Sequence, residues 1–430
     1  MAEIRFFKSL PYFLILSLIT LVFWFLKLDM IGMTIFALLA TIMLIFNRDG
    51  FAVLPFFLNM MFMISETEWS LATIPIYLYI LPIFLIIGLT VHIIRFKVKI
   101  FTGKLKYPLL LLFLAMLLSS FNVADFTINY LFYCLIGVFY LFIYFYFRGS
   151  LDGDNLDDLI KLLAVIGVMI ALQVLIYYLR VDDVIYALEN KRIDLGWGLS
   201  NTNATYLVMF ISILVYYVKK HKFNYLLVIL LSFEILMLLF TLSRGGILTF
   251  VITLIPLIIF LFYGYKNKLK MALNIIIGLV VIGLVVWLRT DIFETIWLRL
   301  LDRGFDDTGR FAIWIEAWEM YKTYPLFGGG LFARVSNDYF SLYHNTILHT
   351  MATLGTVGLI AIIWQFIEIF KVFFKKLTSE KAILAIMLIA ANIHGMLENV
   401  YYMPQFMLIF FIVIAAVENH NIEVLKVGKI

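Results

Sequence analysis

Fourteen apolar runs follow one another along this 430-residue chain, and most of what separates them is too short to fold by itself. They centre on residues 10–26, 30–46, 51–64, 74–94, 107–121, 128–147, 159–179, 204–218, 225–242, 247–263, 272–288, 349–370, 382–397 and 404–417. A helix needs about twenty apolar residues to cross the hydrocarbon core of a bilayer. With 64% hydrophobic and 14% charged residues and a mean hydropathy of +1.03, the chain reads as an all-α polytopic membrane protein with about 12–14 transmembrane helices. Residues 1–430 are read as a single transmembrane helical domain. Residues 289–346 form a large extracytoplasmic loop inserted between two spans.

The ends and the lone cysteine fit this reading. The N-terminus starts with basic residues, but its apolar run is longer than a signal peptide and no small-residue cleavage site follows, so it is read as a first span that stays. Cys134 falls inside a span and is the only cysteine, which excludes intrachain disulfides and thiolate metal clusters.

Orientation follows from the loops. Basic connections at Arg5/Lys8, Arg48, residues 95–106, 148–161, 219–222, 266–270 and 371–381, with the tail, alternate with acidic or neutral ones. The positive-inside rule then puts both termini in the cytoplasm and the long loop outside. On this assignment the cytoplasmic side has 18 Lys and 4 Arg and the outer side 3 Lys and 8 Arg. Lysine suffices for topology, whereas the planar arginine fork binds phosphate oxygens bidentately and keeps its charge. A phosphate- or pyrophosphate-bearing partner outside is therefore expected. Snorkelling, or pairing with acidic residues of the same loops, is the alternative for any single arginine.

Several constellations could carry chemistry. Thr241-Leu242-Ser243-Arg244-Gly245-Gly246 joins two spans with no other polar residues, and the adjacent glycines suggest a tight reversal. An arginine there costs about 2.5–3.5 kcal/mol at a bilayer centre on insertion scales, which favours a functional role for Arg244. In the loop after span seven, Lys191-Arg192, Gly196-Trp197-Gly198 and Ser200-Asn201-Thr202-Asn203 offer an aromatic face and amides suited to a sugar. An interfacial Trp197 and a helix cap at Asn203 are the alternative. In the long loop, Asp306-Asp307-Thr308-Gly309 reads as a helix start, with Arg310 in its first turn. Phe311, Trp314, Ile315, Trp318 and Tyr321 recur at helical spacing, as for a helix lying along the membrane surface. Pro325-Leu326-Phe327-Gly328-Gly329-Gly330 ends it, the glycines allowing a turn or close approach of a ligand. Asp302, Asp306 and Asp307 are read as capping and pairing with Arg303 and Arg310 rather than as metal ligands, and no metal or cofactor is expected. His344-Asn345 precedes span twelve, where a helix N-terminus disfavours a positive ring and leaves His344 able to accept a proton. His394 and Glu398, four apart, are expected to share a helix face as an ion pair or as support for the site. Glu234 must face the bundle interior, and His92 and Glu368 lie at cytoplasmic span ends.

Taken in order, Ser243-Arg244-Gly245-Gly246, Gly309-Arg310 with Trp314, residues 325–330, His344-Asn345 and Leu354-Gly355-Thr356-Val357-Gly358 resemble the O-antigen ligase and Wzy-type polysaccharide polymerase superfamily over roughly residues 200–370. The resemblance implies a glycosyltransferase-C-like bundle that transfers a glycan from an undecaprenyl-diphosphate carrier. It implies Arg244 and Arg310 on the diphosphate and His344 as base. Thr353 stands where many relatives carry an acidic residue, so no acidic role is carried over there. Asn345, Ser243, Arg303, Arg334, Arg192, Trp197, Asn203, His394 and Glu398 complete the expected substrate-binding set. Lys-, Ile-, Phe- and Tyr-rich composition points to an AT-rich genome and favours a polymerase of lipid-linked repeat units in a bacterial plasma membrane. A ligase passing the finished glycan to lipid A core or protein is the alternative. A lipid-linked glycan transporter is the competing class, disfavoured because no pair of matching broken spans is apparent. Expected partners are undecaprenyl-diphosphate-linked oligosaccharide, membrane lipids, and a flippase and chain-length regulator of the same pathway, with no nucleic acid.

Overall fold

A computed structural model describes residues 6–66, 76–122, 128–222, 224–302, 309–331 and 343–427. Among these residues there is no β-strand, and a single isolated bridge links Asp194 and Leu199. The helices in chain order are α1 (Leu10–Phe25), α2 (Asp29–Phe46), α3 (Leu54–Met61), α4 (Ile76–Phe96), α5 (Lys106–Ser119), α6 (Ile128–Ser150), α7 (Leu156–Arg180), α8 (Val184–Glu189) and α9 (Ser200–Lys220). They continue as α10 (Tyr225–Phe240), α11 (Arg244–Phe262), α12 (Lys268–Leu288), α13 (Thr290–Asp302), α14 (Arg310–Thr323), α15 (Thr346–Phe374), α16 (Ser379–His394) and α17 (Pro404–Val427). Each of the fourteen apolar runs falls on one of them, and α8, α13 and α14 lie between runs. The chain is an all-α polytopic membrane protein; α2, α7, α9, α11, α12, α15 and α17 are each long and apolar enough to cross a bilayer unaided.

The chain divides into two compact units, one drawn from Met1–Lys97, Leu156–Gly304 and Thr378–Ala391, the other from Val98–Asn155, Phe305–Leu377 and Asn392–Ile430. In the first, α7 and α9 are buried along most of their length while α11 and α12 face largely outward. Helix starts are capped as their sequences dictate: Ser9 accepts from the Tyr12 amide, Asn224 from Leu226 and Asn267 from Lys270. The third apolar run is the informative exception. Its helical part, Gly50–Met61, rises only about 18 Å at 1.5 Å per residue, well short of the hydrocarbon thickness. The extended residues after it complete the path, since Ser65 donates to Asp29 through its amide (2.8 Å) and hydroxyl (2.9 Å) at the start of α2. At the opposite end Lys8 pairs with Asp49 at 2.6 Å. Lysine–aspartate pairs also gather at that end, Lys161 with Asp158 and Lys220 with Asp157.

In the second unit α17 is buried through its middle and packs on α6, while α15 packs on α5 and α14. One end is closed by the Glu418 carboxylate, which accepts from Tyr144 Oη (2.6 Å) and the Lys104 amide (3.0 Å) and pairs with Arg148 (3.3 Å). The most constrained element is α15, which breaks at Gly355 (φ 64°, ψ −162°), a conformation open essentially to glycine alone. The break exposes backbone groups, and residues 325–330 satisfy them. Ala352 and Thr353 carbonyls accept from the Gly329 (2.9 Å) and Gly330 (3.1 Å) amides, and the Thr356 and Val357 amides donate to Pro325 (2.9 Å) and Leu326 (3.1 Å) carbonyls. A Cβ on Gly328 (φ +70°) would lie 2.2 Å from the Thr353 carbonyl carbon. The glycine triplet therefore makes its close approach to the backbone of α15 rather than to a ligand.

Candidate active site

The second unit brings together His344, Arg310 and Glu398. Gly309, in the left-handed region at φ +78°, turns the chain into α14 and sets Arg310 at its first position. Arg310 Nη2 donates to Glu398 Oε1 at 2.9 Å, and His344 Nδ1 lies 2.9 Å from Glu398 Oε2. Both carboxylate oxygens are thus engaged, one by each cation-forming partner.

The backbone around His344 fixes its direction. Tyr343 is fully buried in a cluster with Ala317, Met320 and Ala352, so α14 and α15 jointly anchor the residue before the histidine. His344 itself takes φ +47°, uncommon for a non-glycine residue. Asn345 then caps α15, its Oδ1 accepting from the Ile347 and Leu348 amides at 3.0 Å, while its Nδ2 donates to the Met396 carbonyl at 2.9 Å. The Thr346 amide donates to the Gly395 carbonyl at 2.8 Å. The His-Asn pair is thereby clasped to the turn that carries Glu398.

Glu398 is only 5% exposed. Burial pushes its carboxyl up, but the hydrogen bond to His344 and the charges of His344, Arg310 and His394 outweigh it and hold the group below the usual carboxylate range. An ionised carboxylate only accepts, so the proton between Glu398 and His344 sits on Nδ1, and whenever the ring is neutral its lone pair is on Nε2. The His344 side chain is 39% exposed. A base held in one tautomer by a buried carboxylate, beside an arginine, is an arrangement for deprotonating a hydroxyl next to an anion.

A stability prediction follows. Because the folded pKa of Glu398 is depressed, its contribution is present above the unfolded value of about 4.3 and is lost as pH falls through the folded value. Below about pH 4.3 the melting temperature of wild type minus that of Glu398→Gln should shrink as pH falls. A difference that instead grows as pH falls through that acid range sinks the assignment of Glu398 as ionised.

Elsewhere in this unit, His394 ends α16 and is buried, and the Glu398 amide donates to its carbonyl at 2.9 Å. The expected shared helix face is not formed: α16 ends at His394, Glu398 lies in the turn beyond it, and its carboxylate is directed to Arg310 and His344. Phe311, Ile315 and Trp318 remain exposed on α14, consistent with an outward apolar face, whereas Tyr321 is half-buried and bonded to Thr356 Oγ1 at 2.9 Å. His349, missed at the level of sequence, is fully buried one turn below His344 and contacts the rings of Tyr343 and Tyr402, with centroids 5.8 and 4.7 Å away. Thr353 is buried with its hydroxyl on the His349 carbonyl at 2.6 Å, a local helix bond. Arg303 and Arg334, and the acidic pair Asp306-Asp307, lie outside the described residues.

The first unit holds Arg244, Ser243, Asn203, Trp197 and Arg192. Ser243 caps α11, accepting from the Gly246 amide at 3.1 Å and donating to Asn201 Oδ1 at 2.9 Å, and Arg244 is the first residue of that helix. The helix dipole makes this a poor place for a cation alone and a good one for an anion shared by the amides and the guanidinium. The sharp reversal is made by Leu242 (φ 55°), not by the glycines; Gly246 lies inside α11, where a Cβ would meet Ala204 of α9 at 2.5 Å. The expected cap at Asn203 is also corrected. α9 begins at Ser200, and Asn203 sits fully buried within it, its side-chain amide without a partner among the described residues. Trp197 is buried, not interfacial: Nε1 donates to Gln173 Oε1 at 3.1 Å and the ring packs edge-on against Phe62 and Tyr206, so neither face is open for a sugar. Arg192 lies over the Tyr186 ring at 4.8 Å, whereas its neighbour Lys191 reaches Asn201 at 3.1 Å, one bond from Ser243.

Residues 225–363 match the model of the family described as O-antigen ligase. No curated protein matches the chain. The matched segment includes Ser243, Arg244, Arg310, His344, Asn345 and the Gly355 break, while Glu398 falls beyond it. Over these 139 of its 430 residues the chain is similar to the O-antigen ligase family.

Proposed function

We propose that this protein polymerises undecaprenyl-diphosphate-linked oligosaccharide repeat units into a cell-surface polysaccharide, on the extracytoplasmic face of a bacterial plasma membrane. The observation that carries the reading is the Glu398 carboxylate bound at once to Arg310 and to Nδ1 of His344. In the reaction, Nε2 of His344 takes the proton of the acceptor sugar hydroxyl, whose oxygen attacks the donor's anomeric carbon. The bond from that carbon to the diphosphate oxygen breaks, and the carrier leaves as its diphosphate anion. Arg310, and by resemblance Arg244, stabilise the charge that develops on it. Glu398 stabilises the imidazolium until the proton is released. Residues 289–346 are proposed to be a large extracytoplasmic loop between two spans.

The ligase reading rests on the description of the matched family and uses the same chemistry with a different acceptor. Purified protein with lipid-linked repeat units separates the two: a ladder of products is expected for a polymerase, a single transfer to an added lipid or protein acceptor for a ligase. His344→Ala and Arg244→Ala should each reduce product by about 10²-fold or more, in the range general acid–base and electrostatic groups contribute. Undiminished ladders in both variants would show that the catalytic assignment is wrong and would favour a transporter. A chelator should leave the rate unchanged, and full dependence on added divalent metal would overturn the metal-free mechanism.

A further inference from the structure

We propose a binding site for one phospholipid in the first unit, its acyl chain in a cleft between α1, α7 and α10 and its phosphate at the lysine-rich end of these helices. A cavity of about 840 Å³ lies there, lined almost wholly by aliphatic side chains including Leu14, Leu21, Val168, Leu172 and Leu230. Along its open side Leu10, Leu14 and Leu18 are roughly half exposed or more, so in a membrane the cleft faces hydrocarbon and not water. An apolar cleft of this kind is filled by whatever the bilayer supplies.

Its length and its polar rim identify the occupant. From Lys161 to Leu172 along α7, and from Leu10 to Leu21 along α1, the lining spans eleven helical steps, about 16 Å. That is close to half of the ~30 Å hydrocarbon thickness, the depth of the acyl region of a single leaflet. Apart from Ser17, midway along α1, the polar lining gathers at one end, in Lys161, Tyr217, His221 and Asn224. Lys161 Nζ donates to Asp158 Oδ1 at 2.8 Å and to the Lys8 carbonyl at 3.4 Å. An ammonium has three donors, so the third is available to a phosphate oxygen at the rim. A headgroup phosphate at Lys161 with a chain reaching the bilayer midplane fits both dimensions. The site is separate from Arg244 of the same unit, which lies at the opposite end of α10, so it does not rest on the proposed reaction.

The test uses full-length protein in phosphatidylethanolamine–phosphatidylglycerol nanodiscs containing a phospholipid with a diazirine in its acyl chain. After illumination, labelled peptides from α1 and α7 should exceed those from α12, a helix that faces largely outward, by about tenfold. Val168→Trp, which fills the cleft, should bring labelling of α1 and α7 down to the α12 level, and Lys161→Glu should weaken it. Equal labelling of α1, α7 and α12 in wild type would overturn the proposal whether or not the variants fold. So would selective labelling by a diazirine-bearing polyprenyl phosphate with none by the phospholipid.

Discussion

Replacing Glu398 by glutamine is expected to lower glycan transfer by about 10²–10⁴-fold, or about 2.7–5.4 kcal/mol on the barrier, while the protein stays folded. The carboxylate accepts from Arg310 on one oxygen and faces His344 Nδ1 with the other. An amide of the same shape cannot do both. If its oxygen keeps Arg310, its NH₂ faces Nδ1, and His344 must offer a lone pair there and carry its proton on Nε2, the tautomer that cannot act as base. If its oxygen keeps Nδ1, two donors confront each other at Arg310. Either arrangement also removes the negative charge that stabilises the imidazolium. Comparison with His344→Ala gives the decisive reading: Glu398→Gln within threefold of wild type, with His344→Ala inactive, would mean that the histidine works without its carboxylate. In the proposed reaction Glu398 acts through His344, so the loss should fall on kcat rather than on KM for the lipid-linked donor.

The membrane fold was legible because hydrocarbon imposes length and composition on each span, and every apolar run becomes a helix. Asn345 was expected to bind substrate, whereas its amide caps α15 and donates to the Met396 carbonyl. The partnership of Glu398 was not legible. It lies 54 residues from His344 and 88 from Arg310, and the local signal, a histidine four residues earlier, pointed to His394 instead. Trp197 and Asn203 carried the same side chains a sugar site would need. What removes them is burial against Phe62, Gln173 and Tyr206, contacts between distant parts of the chain that no local pattern encodes. Arg192 and Lys191 are adjacent, and only the positive φ of Lys191 and the fold of the loop decide which of the two turns toward Asn201.

The glycines of residues 325–330 and of Leu354-Gly355-Thr356 give the second large effect, on folding. Gly355→Ala must place a Cβ 2.4 Å from the Leu326 carbonyl oxygen at φ +64°, and Gly328→Ala a Cβ 2.2 Å from the Thr353 carbonyl carbon at φ +70°. Neither neighbour is a side-chain tip that can swing away; both are backbone already committed to the four hydrogen bonds across the break. Backbone strain of about 1–3 kcal/mol, with bonds worth about 0.5–1.5 kcal/mol each, gives a loss of roughly 3–9 kcal/mol if all four are broken, a large share of the 5–15 kcal/mol typical of a folded domain. Each variant should therefore melt well below wild type or fail to accumulate. Gly283→Ala on α12 is the matched control, since nothing lies within 4 Å of its added methyl and a helical alanine is intrinsically favoured over glycine. If Gly355→Ala melted with wild type, the docked break would not be a fixed part of the fold. His344 and Asn345 would then owe their position to the Met396 and Gly395 carbonyls and to the packing of Tyr343 and Ala352 against Ala317 and Met320.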